Sequence, residues 1–582
     1  MLEWEVEMRA RSWRVTAALV AAVLLTGCGA MPPTLVARVP TSGAIEQGEQ
    51  VTSETTGQFV RVIARGPRPG MSPGEIVRGF LDASASFEGD HAVARQFLTE
   101  QADAVWRPNV RVDVYEGVGT LASSGEAVQF TATKVGAVSN IGRYEVAPTG
   151  TELMAQYQLQ EVDGEWRIGR LPDGLTLSVA DLDRSYRALA VYFFNPDFSM
   201  LVPDPRLLPL TGATLASTLV RYLMSGPSEW LAPAVRSAFP PDVTLAVDSV
   251  TIESGVASVQ LNATALLLGD EARTTLSEQL VWTLRQVPEI QSVAITAGGQ
   301  RFTVPGVAYP QPRGAWPGMD PDALPLGSTG YFLRGGVVQR VTAEGQTSLA
   351  FSGGDEPTTK LTDFAVSLDS RQIAGLDAEG RLRWGQLDRA ATLVAVGARD
   401  RLRAPAFDAD AHVWVLDRKW QPVAFGADGV EVPIRVSDLP ATASLRHIVP
   451  SRDGTRAALV VQEGSTGRLL VGRIVRTGQG EEIRVERPLR VESTLANVID
   501  VAWSGSDALE VIGSIGTASL GVFSVDLARG LTATVGGPAS PSMVGAAPTK
   551  PTLLAQDDGL VYRLQAGTWI SISRGTHPTY PG

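Results

Sequence analysis

One cysteine, Cys28, and four histidines are all that 582 residues offer of the two side chains that most often hold transition metals. With no second cysteine the chain has no disulfide, no cysteine-based metal site and, beyond Cys28, no thiolate chemistry. His91, His412, His447 and His577 stand singly, without His-x-His or His-x-x-x-His spacing, so no metal ion and no other cofactor is expected. Long hydrophobic runs are lacking too. The run from Val15 to Leu25 is about a dozen residues, whereas a helix that crosses a hydrocarbon core takes about 20. Positive charge is short: 50 Lys and Arg face 62 Asp and Glu, and the net charge of −12 argues against nucleic acid or an anionic surface as a general partner. What is present suits a folded protein, with 44% hydrophobic and 19% charged residues. The length exceeds one core and predicts about three domains.

Arg9, Arg11 and Arg14 followed by the short apolar run form the charged and hydrophobic regions of a secretory signal, residues 1–27. Leu25-Thr26-Gly27-Cys28 then resembles a bacterial lipobox. Cleavage between Gly27 and Cys28 would make Cys28 the first mature residue, carrying S-diacylglycerol and an N-acyl (palmitoyl) chain. Several chains on one residue hold far more firmly than one, each buried methylene contributing about 0.8 kcal/mol. The competing readings are an ordinary secretory signal and a buried cysteine in a cytosolic protein. Glu3, Glu5 and Glu7 put negative charge where a signal should begin positive, which points to Met8 rather than Met1 as the start. Residues 28–58 lack sustained periodicity and read as a tether with a span of roughly 30 Å.

From 59 to 180 the pattern is α+β. Ser72-Pro73-Gly74-Glu75 opens a helix with a capping box, and Ile76, Val77, Phe80 and Leu81 supply its apolar stripe. Gly70-Met71-Ser72-Pro73-Gly74 also matches the Gly-x-Ser-x-Gly of a hydrolase elbow, but Pro73 has no N–H for an oxyanion hole and no apolar strand precedes it. A second short helix from Asp90 carries Val93, Phe97 and Leu98. Strands are expected over 110–115, 127–135, 153–160 and 166–168, with Asp163-Gly164 as a hairpin turn. Two helices on a curved antiparallel sheet would form a cone resembling the nuclear-transport-factor-2-like (NTF2-like) fold. Phe80, Trp106 and Trp166 would then be core or line a cavity for an apolar ligand.

Residues 186–304 give the order β-α-β-β-α-β, which suggests two helices on one face of a four-stranded sheet. The strands are expected at 188–194, 243–252, 256–261 and 293–295, and the helices end at Gly226-Pro227 and Pro288. The blocks Val191-Tyr192-Phe193, Tyr222 to Pro227, Gly255 to Leu261 and Gln279 to Leu284 resemble the GerMN domain of germination and sporulation proteins. Six prolines within 305–327 read as a stiff linker, with Trp316 as a pin to a neighbour.

The remainder, 328–582, repeats. Ser328-Thr-Gly, Ser367-Leu-Asp369, Asp408-Ala-Asp410, Ser451-Arg-Asp453, Ser504-Gly-Ser506 and Ala547-Pro548-Thr549 recur every 39–53 residues, each leading into an apolar strand. Repeats of this length built of short strands indicate a β-propeller, here of about six blades. Asp408 and Asp410 open like a calcium loop, yet Val413 stands where that loop needs glycine and Lys419 where it needs glutamate. They read as blade-turn carboxylates. Asn262-Ala263-Thr264 is a chance sequon. Propellers that host hydrolases place His, Arg or metal ligands at the central channel. Arg383, Arg403, His412 and His447 are the candidates to reach it, against a structural reading for each.

A lipobox, a GerMN-like middle and a C-terminal propeller, in this order, resemble the LpqB family of actinobacterial lipoproteins. Cys28-Gly29-Ala30-Met31-Pro32-Pro33 and Gly66-Pro67-Arg68-Pro69-Gly70-Met71-Ser72-Pro73 carry the likeness most closely. The resemblance implies a lipoprotein anchored through Cys28 to the outer face of the cytoplasmic membrane. It implies a partner, the extracytoplasmic domain of the sensor kinase MtrB of the MtrA–MtrB two-component system, and a part in envelope homeostasis and division. It supplies no catalytic residues, and an enzyme is not expected. The alternatives are an envelope ligand-binding protein and an enzyme that processes cell-wall glycans or peptides.

Overall fold

A computed structural model describes residues 64–582, apart from 210–213, 343, 352–356, 388–391, 478–481 and 493. The signal at 1–27, both candidate start residues, Cys28 and the tether at 28–58 lie outside the described residues.

Helix Pro73–Ser84 begins where its capping residues require. The Glu75 carboxylate accepts from the Ser72 N–H at 2.8 Å and from its hydroxyl at 2.7 Å, the capping box expected of Ser72. Ile76, Val77, Phe80 and Leu81 are buried against a sheet ordered Glu165–Arg170, Glu152–Val162, Ala127–Ser139, Arg111–Ser124, Leu175–Ser178. In Glu152–Val162 the alternation is strict: Leu153, Ala155, Tyr157 and Leu159 face the core, while Met154, Gln156 and Gln158 face solvent. Asp163 and Gly164 both have positive φ, 55° and 80°, as the two-residue hairpin demands. Several elements escape the sequence reading, helix Val179–Ser185 among them. Helix Glu100–Val105 is too short to show a period. Strand Tyr144–Val146 is an addition to the edge of Ala127–Ser139, and Leu175–Ser178 pairs parallel to Arg111–Ser124.

The middle domain corrects one expectation. Its first strand, Tyr186–Phe194, does not join the main sheet but pairs antiparallel with Leu201–Pro209, which the sequence reading leaves unassigned. The other edge of Tyr186–Phe194 is satisfied by side chains of helix Asp270–Leu284 and the turn after it. The Thr283 hydroxyl accepts from the Tyr192 N–H, and the Gln286 amide brackets Ala190, accepting from its N–H at 2.7 Å and donating to its carbonyl at 2.6 Å. These polar groups end the ladder there. The main sheet runs Gln300–Arg301, Ser292–Ala297, Val256–Leu261, Thr251–Glu253, with Ser292–Ala297 parallel to Val256–Leu261. The expected strand over 243–252 shrinks to Thr251–Glu253, although Val243 and Val250 are buried.

The proline-rich stretch is also more than a linker. Gln311–Pro312 pairs with Ser292 and Val293, adding a strand to the main sheet. The Trp316 carbonyl accepts from the Trp282 indole at 2.9 Å, so Trp316 does pin this stretch to its neighbour.

Helix Asp270–Leu284 is buried on most of its circumference, and one consequence is testable. Glu278 is 8% exposed, and burial alone pushes its carboxyl up to about 7. Its proton is held in the fold but lost from the unfolded chain above pH 4.5, so stability falls as pH rises from there to about 7. Glu278→Gln should leave the melting temperature near its original value at pH 4.5 and raise it at pH 8, where the penalty removed is about 2–3 kcal/mol. Thermal unfolding at both pH values checks this. The same change in melting temperature at both would refute it.

Residues 328–582 form a ring of six four-stranded blades. Their innermost strands are Thr576–Thr579, Asp363–Val366, Arg403–Phe407, Ala443–Pro450, Leu495–Gly505 and Pro541–Gly545. Blade 1 is discontinuous in sequence: Gly330–Arg334, Val337–Val341 and Thr347–Leu349 take their inner neighbour from the C-terminus, with Tyr331 opposite Thr579 and Leu333 opposite Thr576. Blades 3 and 4 are joined at the rim, where Glu431–Val436 runs parallel to Glu482–Arg490.

The repeated Ser/Asp-x-Asp triplets have a local cause. Asp369, Asp408 and Asp453 each accept backbone N–H groups two or more residues on, closing the turn into the second strand of a blade. Ser367 and Ser451 donate their hydroxyls to the same carboxylates.

Candidate functional site

At the ring axis side chains from all six blades converge. It encloses a cavity of about 140 Å³ with Asp363, His447, Asp500 and His577 on its wall. Strand geometry puts them there. Each occupies an innermost strand, so the pleat turns every second side chain of that strand toward the axis.

The four groups form two pairs. His577 Nε2 lies 3.7 Å from Asp363 Oδ1, across blades 1 and 2, and His447 Nδ1 lies 3.6 Å from Asp500 Oδ1, across blades 4 and 5. The pairs therefore stand on opposite sides of the ring. Asp500 Oδ2 also accepts from the Val544 N–H at 2.7 Å, tying blade 5 to blade 6. Burial pushes both carboxyls up from their ordinary value, and the facing histidines pull them partly back. The volume limits what can happen here. It falls below the roughly 300–1,000 Å³ of ordinary ligand pockets.

Of the four residues expected to reach the channel, only His447 does. Arg383 donates to Asp377 at 2.7 Å, in a blade turn. Arg403 and Arg446 stack on the Trp420 ring, at 4.3 and 4.4 Å from its centre. His412 sits beside Asp408 at 3.6 Å in another turn. Sequence reasoning missed Asp363, Asp500 and His577, and only the position of Asp363 and Asp500 on inner strands could have flagged them.

Asp408, Asp410 and His412 do come together within ligating distance of one another. A cation is already supplied, however: Arg476 lies 2.8 Å from Asp408 and 2.6 Å from Asp410. Asp408 further accepts from the Trp414 indole at 2.9 Å and is held below the usual carboxylate range, despite its burial, by His412, Arg476 and Trp414. The triplet closes a blade turn, as expected, with Arg476 as the cation beside its two carboxylates.

Elsewhere, Phe80 packs edge-on against Trp106 and Tyr157, with Phe80 and Trp106 both buried in the core of the first domain, and Trp166 packs against the same cluster. They are core residues. Asn262 donates to the Asp242 carbonyl and the Thr244 hydroxyl, so the sequon is structural. The buried His91 donates its Nδ1–H to the Ser84 carbonyl at 3.1 Å, and burial lowers its affinity for a proton.

The three domains bind one another through specific contacts. Gly142, at φ 77° and with the Leu207 carbonyl 2.9 Å from where a Cβ would stand, lets its hairpin press on strand Leu201–Pro209, whose Leu207 N–H donates to the Gly142 carbonyl. The Trp230 indole of the middle domain donates to the Arg487 carbonyl at 2.8 Å in blade 4, and Arg473 returns a bond to the Trp230 carbonyl at 2.9 Å. Asp322 accepts from the Ser506 N–H at 2.6 Å in blade 5.

Three family models match the chain: "Lipoprotein LpqB, N-terminal domain" over residues 66–183, "Sporulation and spore germination" over 190–303 and "Lipoprotein LpqB beta-propeller domain" over 335–581. Among curated proteins, Lipoprotein LpqB of Thermobifida fusca (strain YX) is 31% identical, covering 96% of this chain and 97% of that one. Lipoprotein LpqB of Streptomyces coelicolor is 28% identical over 99% and 98%. Among solved structures, the tandem GerMN domains of GerM from Bacillus subtilis are similar at 20% identity and a TM-score of 0.19, over 22% of this chain and 45% of that one. TolB from Acinetobacter baumannii is similar at 14% identity and a TM-score of 0.35, over 44% and 66%.

Proposed function

Because the chain belongs to the LpqB lipoprotein family, we propose that it is a non-enzymatic accessory protein that binds the extracytoplasmic part of the sensor kinase MtrB and so regulates the MtrA–MtrB system. In this reading Cys28 carries the acyl anchor, and the folded domains stand on the outer face of the cytoplasmic membrane. Among the described residues no helix is long and apolar enough to cross a membrane.

The single observation that carries a binding role is the small size of the channel together with the pairing of the groups on its wall. The place where a propeller enzyme would hold its substrate is about 140 Å³, and its titratable groups face one another in pairs. The working surfaces are then the outer ones, which suits recognition of another protein. Regulation adds one requirement. The protein biases the kinase only if it binds the two signalling states with different affinities; equal affinity would make it a scaffold.

The test is calorimetric titration of residues 29–582 against the extracytoplasmic domain of the cognate kinase. Saturable binding is expected, with truncation after residue 327, which leaves Gln311–Pro312 and Trp316 on the middle domain, assigning the contact to one side. Absence of a complex both in solution and with the two proteins anchored in one bilayer would sink the reading.

A further inference from the structure

A second cavity, of about 380 Å³, opens where all three domains meet, and its volume lies inside the range of ligand pockets. Arg143 and Tyr144 come from the first domain, Pro203, Trp230 and Leu231 from the middle domain, and Arg456, Arg487, Leu489 and Val491 from blades 4 and 5. Pockets form preferentially at such junctions, because separately folded surfaces leave gaps where they meet.

The cleft is rich in arginine. Arg143, Arg456, Arg487 and Arg490 line it, against Glu145 and Asp204. Asp204 is fully engaged: it holds Arg206 through both oxygens, at 2.7 and 2.8 Å, and accepts from the Ser228 N–H and hydroxyl. Arg487 is paired with Glu229 at 3.0 Å. Arg143 is different. Its guanidinium stacks 5.3 Å from the centre of the Trp230 ring, and among the described residues no carboxylate lies within ion-pair distance of it. Burial holds its pKa below the usual arginine value, and the more distant charges of Asp204 and Glu145 offset this only in part. Arg456 supplies an independent sign. It is only 4% exposed, pairs with Asp453 through Nη2 at 2.6 Å, and leaves its buried Nε without a hydrogen-bond partner. A buried unsatisfied donor costs about 1–3 kcal/mol, and a ligand acceptor would relieve that cost.

The remaining walls are apolar: Trp230, Leu231, Val471, Leu489, Val491 and Leu527. We propose that this three-domain cleft binds one amphiphilic anion, a carboxylate or phosphate head held by Arg143 and Arg456, with an apolar body laid along Trp230 and Leu489. Since each domain contributes to the wall, such a ligand would also tighten the three domains against one another.

The experiment uses residues 29–582, which include every described residue. Anilinonaphthalene sulfonate, an aromatic body with one anionic group, serves as the reporter. Its fluorescence should rise saturably with one site, and dodecanoate and dodecyl phosphate, below their micelle concentrations, should displace it. The stronger competitor identifies the head group. Dodecanol and inorganic phosphate, each lacking half of the chemistry, should compete at least 10-fold more weakly. Arg143→Gln should weaken the reporter about 10-fold or more. Leu489→Trp, at a position already 37% exposed, should fill the cleft and abolish binding without unfolding the chain. Unchanged affinity in Leu489→Trp, or competition by dodecanol equal to that of dodecanoate, would overturn the proposal. So would inorganic phosphate competing as well as dodecyl phosphate.

Discussion

Removal of the last seven residues, Thr576 to Gly582, is expected to open the propeller ring and abolish its cooperative folding. Thr576–Thr579 is the inner neighbour of Gly330–Arg334, so its loss exposes a strand edge in blade 1. The next residues fasten the ring to other blades. Tyr580 is buried and donates its hydroxyl to the Pro551 carbonyl at 2.7 Å. Arg452 donates twice to the Pro581 carbonyl, at 3.2 and 2.9 Å, and the Gly582 N–H donates to Val366. Burying one tyrosine side chain and keeping several hydrogen bonds together stabilise by roughly 5 kcal/mol or more. Whole domains are stable by only about 5–15 kcal/mol. Limited proteolysis and near-ultraviolet circular dichroism would read the result: rapid cleavage within 328–575 and loss of the tertiary signal. His577→Ala, which keeps the strand, should stay closed. A truncated chain as resistant to protease as the full one would contradict the closure argument.

Asp204→Ala is expected to destabilise the middle domain by about 3–5 kcal/mol, the usual cost of leaving one partner of a buried ion pair alone. Asp204 and Arg206 are two apart on one strand and thus share a face, and their side chains are 5% and 3% exposed. The carboxylate also anchors the turn at Ser228, two residues before Trp230, so its loss loosens the contact between the middle domain and the propeller. The double change Asp204→Ala with Arg206→Met removes the stranded charge and should recover most of the loss. Chemical denaturation followed by the fluorescence of Trp230 in a variant set would measure both. If Asp204→Ala alone costs less than about 1 kcal/mol, the pair is not the structural unit its geometry indicates.

What could be read in the chain was local. The Ser72–Glu75 cap, the alternation of Glu152–Val162 and the positive-φ turn at Asp163-Gly164 each depend on residues within a few positions of one another. The blade turns were legible for the same reason, since Asp369, Asp408 and Asp453 accept from N–H groups close by in sequence. Their regular return set the fold class and the number of blades.

What could not be read depends on distant partners. Thr576-His577-Pro578-Thr579 has little strand propensity and contains a proline; it is extended because the free edge of Gly330–Arg334 needs a neighbour. Gln311–Pro312 is a strand for the same reason. Tyr186–Phe194 has strong strand character, yet its place outside the main sheet was decided by Thr283 and Gln286, about 90 residues further along. The candidate sites are the extreme case. His577 faces Asp363 and Arg143 lies on Trp230 only because the ring closes and three domains dock. The sequence by itself determined the family, the domain types and the turns, because short-range hydrogen bonds and hydrophobic periodicity act along the chain. The tertiary structure alone decided the channel pairs and the arginine-lined cleft, because Coulomb interaction and burial act through space.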